Sequence, residues 1–152
     1  MIKAILISTI LTCGIVNAQV TKEKRPPVDW KSIPGIVVKG GKMFIDSNSV
    51  ATVDVNNGRR FVSADLMVSY DKDTIALSDE KKLTFRSKVH TLVIECESGN
   101  AAPVSDLYFK EPMPDRSNKP LGGEFYPKDP THTLFNVDKK SVIYNVLCPN
   151  II

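Results

Sequence analysis

The sequence is poor in the residues that enzymes most often use for catalysis and metal binding. Only two of its 152 residues are histidine, His90 and His132, and neither stands in the HExxH spacing of a zinc protease. The GxSxG pattern of a hydrolase nucleophile is missing. The CxxC pattern of redox proteins is missing too, so redox catalysis has no support. We therefore predict a protein that is not an enzyme and uses neither cofactor nor metal.

The sequence also lacks a dominant charge and a long apolar run. Lysine and arginine number 20 against 17 aspartate and glutamate, which gives a net charge of +3. This small excess does not indicate nucleic-acid binding. The apolar run near the N-terminus falls short of the ~20 residues that span a bilayer, so we predict no transmembrane segment.

Residues 1–18 have the features of a secretory signal peptide. A lysine precedes an apolar run over residues 4–15, and a pattern of small residues ends at Ala18. The alternative is a lipoprotein signal acylated at Cys13, although Thr12 occupies a position where such sites usually carry a small residue. We therefore predict export to the periplasm or the outer cell surface.

Cleavage after Ala18 makes Gln19 the first residue of the mature protein. N-terminal sequencing or the intact mass of the exported protein is expected to show this start. A lipid-modified mass for a chain that begins at Cys13 would contradict it and identify a lipoprotein.

Two cysteines remain after cleavage, Cys96 and Cys148. An even pair in an exported protein predicts one disulfide, and two free buried thiols are the alternative. The segment "TLVIECES" alternates in polarity and places Cys96 on the core side of a β-strand.

The remaining residues predict one domain over 30–152, preceded by a flexible lead over 19–29. Asn57-Gly58 is typical of a tight hairpin turn, and residues 62–70 alternate between an apolar and a solvent-facing side. The patterns predict strands at 35–39, 43–46, on both sides of Asn57-Gly58, at 83–96 and at 103–111, with a break over 71–82. Antiparallel neighbours in chain order are the natural connection.

The C-terminal third contains a proline-rich segment and one predicted helix. Residues 111–130 hold five prolines, which disfavours long regular elements there and suggests binding or disorder. Asp138 is the predicted N-cap of a helix that ends before Pro149 and packs on the sheet, with a strand as the alternative. The fold class is thus α+β, a small antiparallel sheet of hairpins with a C-terminal helix and one disulfide.

The segments "MFIDSNSV", "VSADLMVSYD", "SKVHTLVIEC" and "VLC", together with Trp30, resemble the surface-adhesin protein E family of Gram-negative bacteria. The resemblance includes Asp46 and Ser49, which most simply form a turn or cap. It implies a small antiparallel sheet with a helix against it, tied by one disulfide. It also implies adhesion to host extracellular proteins.

Two functions remain open from the sequence. The first is an exported binding protein that attaches to a host extracellular-matrix or envelope protein, and the second is a periplasmic accessory or inhibitor protein. We predict a binding patch for acidic or sulfated ligands at Lys81, Lys82, Arg86 and Lys88. The alternative role of these cations is to keep a strand edge from pairing with another molecule.

Overall fold

The computed structural model describes residues 26–56, 59–78, 81–126 and 135–149. Its elements are β1 (Trp30–Ser32), β2 (Gly41–Asp46), β3 (Ala51–Asn56), β4 (Arg59–Ser78), β5 (Lys81–Glu95), β6 (Asn100–Phe109), β7 (Gly122–Phe125), β8 (Phe135–Asn136) and α1 (Val142–Leu147). In the described part of the chain, no helix is long and apolar enough to cross a membrane. The predicted signal peptide and the first part of the predicted lead, residues 19–25, lie outside the described residues.

All the strands belong to one antiparallel sheet. Its order is β1-β2-β4-β5-β6-β7, with β3 paired to β4 beyond the end of β2 and β8 paired to β6. The predicted hairpin about Asn57-Gly58 is confirmed by the pairing of β3 with β4, although the two turn residues are not described. The predicted chain-order connection of β4, β5 and β6 is confirmed as well.

The helix-side face of the sheet carries the larger core. Val62, Ala64 and Leu66 of β4 alternate inward as predicted, and they pack with Leu92 and Ile94 of β5. Tyr144 and Leu147 of α1 cover this layer. The helix is therefore held by its apolar contacts, because six residues are too few for a stable isolated helix.

The predicted disulfide between Cys96 and Cys148 is confirmed, with 5.6 Å between the two Cα atoms. It joins the residue after β5 to the residue after α1, and both cysteines are buried in the helix-side core. The Tyr144 hydroxyl donates a hydrogen bond to the Cys96 carbonyl beside it. The helix end is thus fixed to the sheet by a covalent bond, a hydrogen bond and packing.

The predicted N-cap of the helix was wrong. Ser141 caps α1, and its hydroxyl accepts a hydrogen bond from the Tyr144 backbone N–H at 3.2 Å. Asp138 instead closes the preceding turn, where its carboxylate accepts from the Lys140 N–H at 2.9 Å. The helix begins later than predicted because this turn comes between Asp138 and the first helical residue.

The prediction of a strand over 35–39 was also wrong. β1 pairs with the outer edge of β2, through Trp30 with Asp46 and Ser32 with Phe44, so that edge is already occupied. Residues 35–39 contribute only a single bridge from Val38 to Gly41. The chain turns at Gly40, whose φ of 72° suits glycine.

The predicted break over residues 71–82 was wrong for residues 71–78 and 81–82, which belong to strands. β4 continues to Ser78 and β5 begins at Lys81, with a pairing irregularity between Ser69 and Thr74. A bulge of this kind lets charged residues stand in a strand without a cross-strand partner. The result is a hairpin that extends past the rest of the sheet.

The face of the sheet opposite the helix is less exposed to solvent than the alternation of polar and apolar residues predicted. Met67 is fully buried there with Val89 and Phe109, and Trp30, Phe44 and Leu107 pack against them. The first half of the proline-rich segment, residues 111–120, contains no helix or strand, and we call it the proline-rich loop. β7 follows within the same segment and pairs with β6, so the segment does hold one short strand.

Candidate functional site

A cleft of about 920 Å³ opens on the face of the sheet opposite the helix. We call this the cleft-side face. The cleft lies between residues 26–30 and the proline-rich loop, and its floor includes Val89, Leu107 and Phe109. A recess with an apolar floor and a small number of polar groups is the usual form of a ligand site.

One wall of the cleft is built around the buried carboxylate of Asp46, which is only 1% exposed. Its Oδ1 accepts hydrogen bonds from the backbone N–H groups of Asp29 at 2.9 Å and Asn48 at 3.0 Å. Its Oδ2 is 3.2 Å from Nη2 of Arg116 in the proline-rich loop. Arg116 Nε also donates to the Pro26 carbonyl at 2.7 Å. Arg116 therefore connects the proline-rich loop both to β2 and to the start of the described chain.

Two further hydrogen bonds fix the proline-rich loop over the sheet. Trp30 Nε1 donates to the Pro114 carbonyl at 2.8 Å, and the Ser87 hydroxyl donates to the Glu111 carbonyl at 2.6 Å. Pro26–Asp29 lie in the predicted flexible lead, yet Pro26 and Asp29 bond to the loop and to β2. The cleft walls are therefore connected to the sheet by specific contacts on both sides.

A chain of polar groups runs across the cleft. The Ser49 hydroxyl donates to the Asp46 carbonyl at 2.7 Å and accepts from the Asp65 N–H at 2.8 Å. The Thr91 hydroxyl donates to Asp65 Oδ1 at 2.6 Å. The Ser49 N–H also bonds to the Asp46 carbonyl at 3.0 Å, which confirms the predicted turn at Asp46 and Ser49.

A second polar cluster lies on the helix-side face, centred on Asp106. His90 Nδ1 lies 2.5 Å from Asp106 Oδ1, and Lys88 Nζ lies 2.8 Å from Oδ2. Burial raises the pKa of Asp106, but the hydrogen bonds and charges of His90 and Lys88 outweigh burial and hold it well below its usual range. Tyr126 donates to the same carboxylate at 3.0 Å, and burial together with this bond raises the Tyr126 pKa.

This arrangement agrees with the predicted structural role of His90, which is half-buried and bonded to a carboxylate. Within the described ranges, no group of three or more His, Cys, Asp or Glu side chains is arranged to hold a metal ion. His132 lies outside those ranges.

The four cations of the predicted binding patch have different surroundings. Lys81 and Lys82 are exposed at the end of the extended hairpin. Arg86 donates to the backbone carbonyls of Tyr70 at 3.3 Å and Asp71 at 3.1 Å. Burial lowers the pKa of Lys88, but the hydrogen bond and charge of Asp106 together with Tyr108 outweigh burial and raise it, so this ammonium stays charged and paired. The binding role of the four residues stays a prediction.

The sequence analysis did not identify Arg116, Asp65 or Thr91 as parts of a site. Arg116 and Asp46 are 70 positions apart, and Thr91 and Asp65 are 26 apart. No local pattern links them. The polar positions on the strand containing Asp65 indicated a solvent-facing side, which was the one available clue.

These features define a disulfide-linked antiparallel β domain with a cleft on one sheet face. No protein-family model and no curated protein matches the chain. Among solved structures, it is similar to crystal form II of Haemophilus influenzae protein E, with a TM-score of 0.46, 19% identity, and coverage of 80% of this chain and 97% of that one. It is also similar to protein E from non-typeable Haemophilus influenzae, with a TM-score of 0.45, 21% identity, and coverage of 82% of each chain. The predicted resemblance to protein E is thus also found in the structure comparison.

Proposed function

We propose that this chain is an exported, non-enzymatic binding protein that attaches to a host extracellular protein through the cleft on the cleft-side face. The observation that carries the proposal is the cleft itself, a recess of about 920 Å³ whose walls are fixed by hydrogen bonds at both ends. A binding site formed before the ligand arrives loses less conformational entropy on binding than a mobile one.

The polar groups in the cleft support binding over catalysis. The Ser49 hydroxyl already donates to one backbone group and accepts from another, so it is occupied as a structural link. A catalytic serine or threonine needs a base that removes its proton and a third group that orients the base. His90, the one histidine among the described residues, cannot serve as a base for Ser49, because it lies on the opposite face of the sheet, where its Nδ1 contacts Asp106.

The disulfide supports the exported location. Disulfides persist in oxidising compartments such as the periplasm and the cell surface, and they are rare in the cytosol. Cys96 and Cys148 are both buried, so their bond contributes to the fold. Export to the outer surface, together with host attachment, forms part of the proposal.

The basic patch adds a second proposed contact for an acidic or sulfated partner. Lys81 and Lys82 are exposed and form no ion pair with another described residue, so we assign the attraction to them. Arg86 and Lys88 contribute less, because each is already paired with a carboxylate, Asp73 and Asp106 respectively. Attraction by exposed lysines acts over about 8–10 Å at physiological salt and weakens as salt rises.

Two matched valine variants test the role of the cleft. Val53 is 55% exposed and lines the cleft, whereas Val37 is 96% exposed and does not line it. Val53→Trp is expected to fill part of the recess and weaken binding of the mature protein to immobilised extracellular-matrix proteins at least tenfold, about 1.4 kcal/mol. Val37→Trp is expected to bind as the parent does, and both variants are expected to keep the parent melting temperature.

Equal binding by the Val53→Trp variant and the parent would place the contact elsewhere on the surface. The location is tested separately by treating intact cells with protease. Degradation of the protein on intact cells supports surface attachment. Protection, with release by osmotic shock, would favour the periplasmic accessory or inhibitor function instead.

A further inference from the structure

The charged groups that line the cleft are not equally available to a ligand. Among the residues that the structure describes, three carboxylates, Asp46, Asp65 and Asp115, and one cation, Arg116, line it. Asp46 is buried and accepts two backbone N–H groups in addition to Arg116. The charges of Asp46 and Arg116 therefore offset each other, and the charge that the described lining of the cleft offers to a ligand is negative.

Asp65 and Asp115 each have one carboxylate oxygen in use and one open. Asp65 Oδ1 accepts from Thr91, and Asp115 Oδ1 accepts from both the backbone N–H and the hydroxyl of Ser117. In the described chain no donor contacts the Oδ2 atom of either residue. Asp65 is half-buried and Asp115 is exposed, and both line the cleft, so a ligand in the cleft can approach their open oxygens.

The negative cleft contrasts with the charge of the whole chain, which is +3. A cation is repelled by the average charge of the protein but attracted into this one recess. Field lines are focused in a cleft with apolar walls, so carboxylates there attract a cation more strongly than carboxylates on an open surface. This contrast makes the cleft selective for positive charge.

The cleft also borders a free strand edge. β3 pairs with β4 on one side, and in the described part of the chain its other side has no strand partner. Residues Ala51, Thr52 and Val53 of this strand line the cleft. An exposed strand edge offers backbone donors and acceptors to an extended peptide, which adds to the sheet as another strand.

From these observations we infer that the cleft binds an extended protein segment rich in lysine or arginine. Its backbone pairs with the outer edge of β3, and its cationic side chains contact Asp65 and Asp115. The inference rests on the proposed function, to which it adds the chemical class of the bound segment.

The test uses two fluorescein-labelled 12-residue peptides in which valine and threonine alternate with either arginine or glutamate. Fluorescence anisotropy with the mature protein is expected to show binding of the arginine peptide that weakens as salt is raised. The glutamate peptide is expected to bind at least tenfold more weakly, because only the exposed lysines of the basic patch attract it. The Asp65→Asn, Asp115→Asn double variant is expected to bind the arginine peptide at least tenfold more weakly. Asparagine keeps an acceptor for Thr91 and Ser117, so the local hydrogen bonds survive.

The matched control is Asp71→Asn. Asp71 is exposed on the extended hairpin and does not line the cleft, so this variant is expected to bind within twofold of the parent. Equal binding of the arginine peptide by the double variant and the parent would overturn the inference. Preference for the glutamate peptide would also overturn it and favour the lysines of the basic patch.

A third contrary outcome concerns the chain's own basic residues at 22–25. If only a chain that starts at Pro26 binds the arginine peptide, those residues compete for the cleft and the assignment to a partner protein is overturned. The inference and the proposed function can fail independently. If Val53→Trp weakens binding to matrix protein but the double aspartate variant does not, the proposed function stands and only the inference is overturned.

Discussion

Replacing Cys96 with serine is expected to lower the free energy of unfolding by about 4 kcal/mol. The disulfide closes a loop of 52 residues, and a cross-link of that length restricts the unfolded chain by roughly this amount. The folded state loses stability too, because Cys96 is fully buried and the serine hydroxyl enters an apolar core. Urea denaturation of the oxidised mature protein and of the variant measures the difference.

A matched variant separates the cross-link from the contacts around it. Tyr144→Phe removes the hydrogen bond to the Cys96 carbonyl but leaves the disulfide and most of the packing. Its expected cost is about 1 kcal/mol, typical of one buried hydrogen bond. Two thiols that react with an alkylating agent in the native protein, or a Cys96→Ser variant as stable as the parent, would contradict the role given to the disulfide.

Where local pattern and tertiary packing agree, the sequence was enough to predict the fold. The alternation over Val62, Ala64 and Leu66 predicted a buried face, and these residues do lie in the helix-side core. Asn57-Gly58 predicted the connection between β3 and β4 because few other dipeptides suit a tight hairpin. The disulfide followed from there being only two cysteines outside the signal peptide.

The predicted break at residues 71–82 failed because local polarity was taken as the end of a strand. Charged residues around Asp71 and Asp73 lower the β-propensity of the segment. In the structure, cross-strand pairing resumes at Thr74 with Phe85, and the bulge keeps the charged residues out of the ladder. The sequence does not show where a bulge lies, because the bulge depends on the register with the partner strand.

The cleft was not predictable for a different reason. Its walls depend on contacts between residues far apart in the chain, such as Trp30 with Pro114 and Arg116 with Asp46. The proline content of the loop showed only that long regular structure was disfavoured. The ion pair between Arg116 and Asp46 could be identified only from the three-dimensional structure, because the two residues are 70 positions apart.

That ion pair carries the second large prediction. Replacing Arg116 with methionine is expected to lower the free energy of unfolding by about 3–5 kcal/mol, because it leaves a buried carboxylate without its cation. Asp46 keeps its two backbone donors, but these do not neutralise its charge. The contact between Arg116 and the Pro26 carbonyl is lost at the same time, so the cleft wall is also loosened.

Arg86→Met is the matched control for this loss, because the side chains of Arg86 and Arg116 are each 33% exposed. The two arginines differ in their acidic partners, since Asp73 is 67% exposed and Asp46 only 1%. An exposed ion pair contributes about 0–1 kcal/mol to stability. Arg86→Met is therefore expected to lower the free energy of unfolding mainly through the loss of the hydrogen bonds from Arg86 to backbone carbonyls. Urea denaturation of both variants gives the comparison.

A double variant tests whether the unpaired charge is the cause. Adding Asp46→Asn to Arg116→Met removes the buried charge while keeping an oxygen that accepts from the backbone N–H groups of Asp29 and Asn48. The double variant is therefore expected to be more stable than Arg116→Met alone, since neutralising a buried and unpaired carboxylate removes its desolvation cost. If the second substitution lowers stability further, the cost of Arg116→Met lies in the lost contacts of the proline-rich loop and not in the charge left on Asp46.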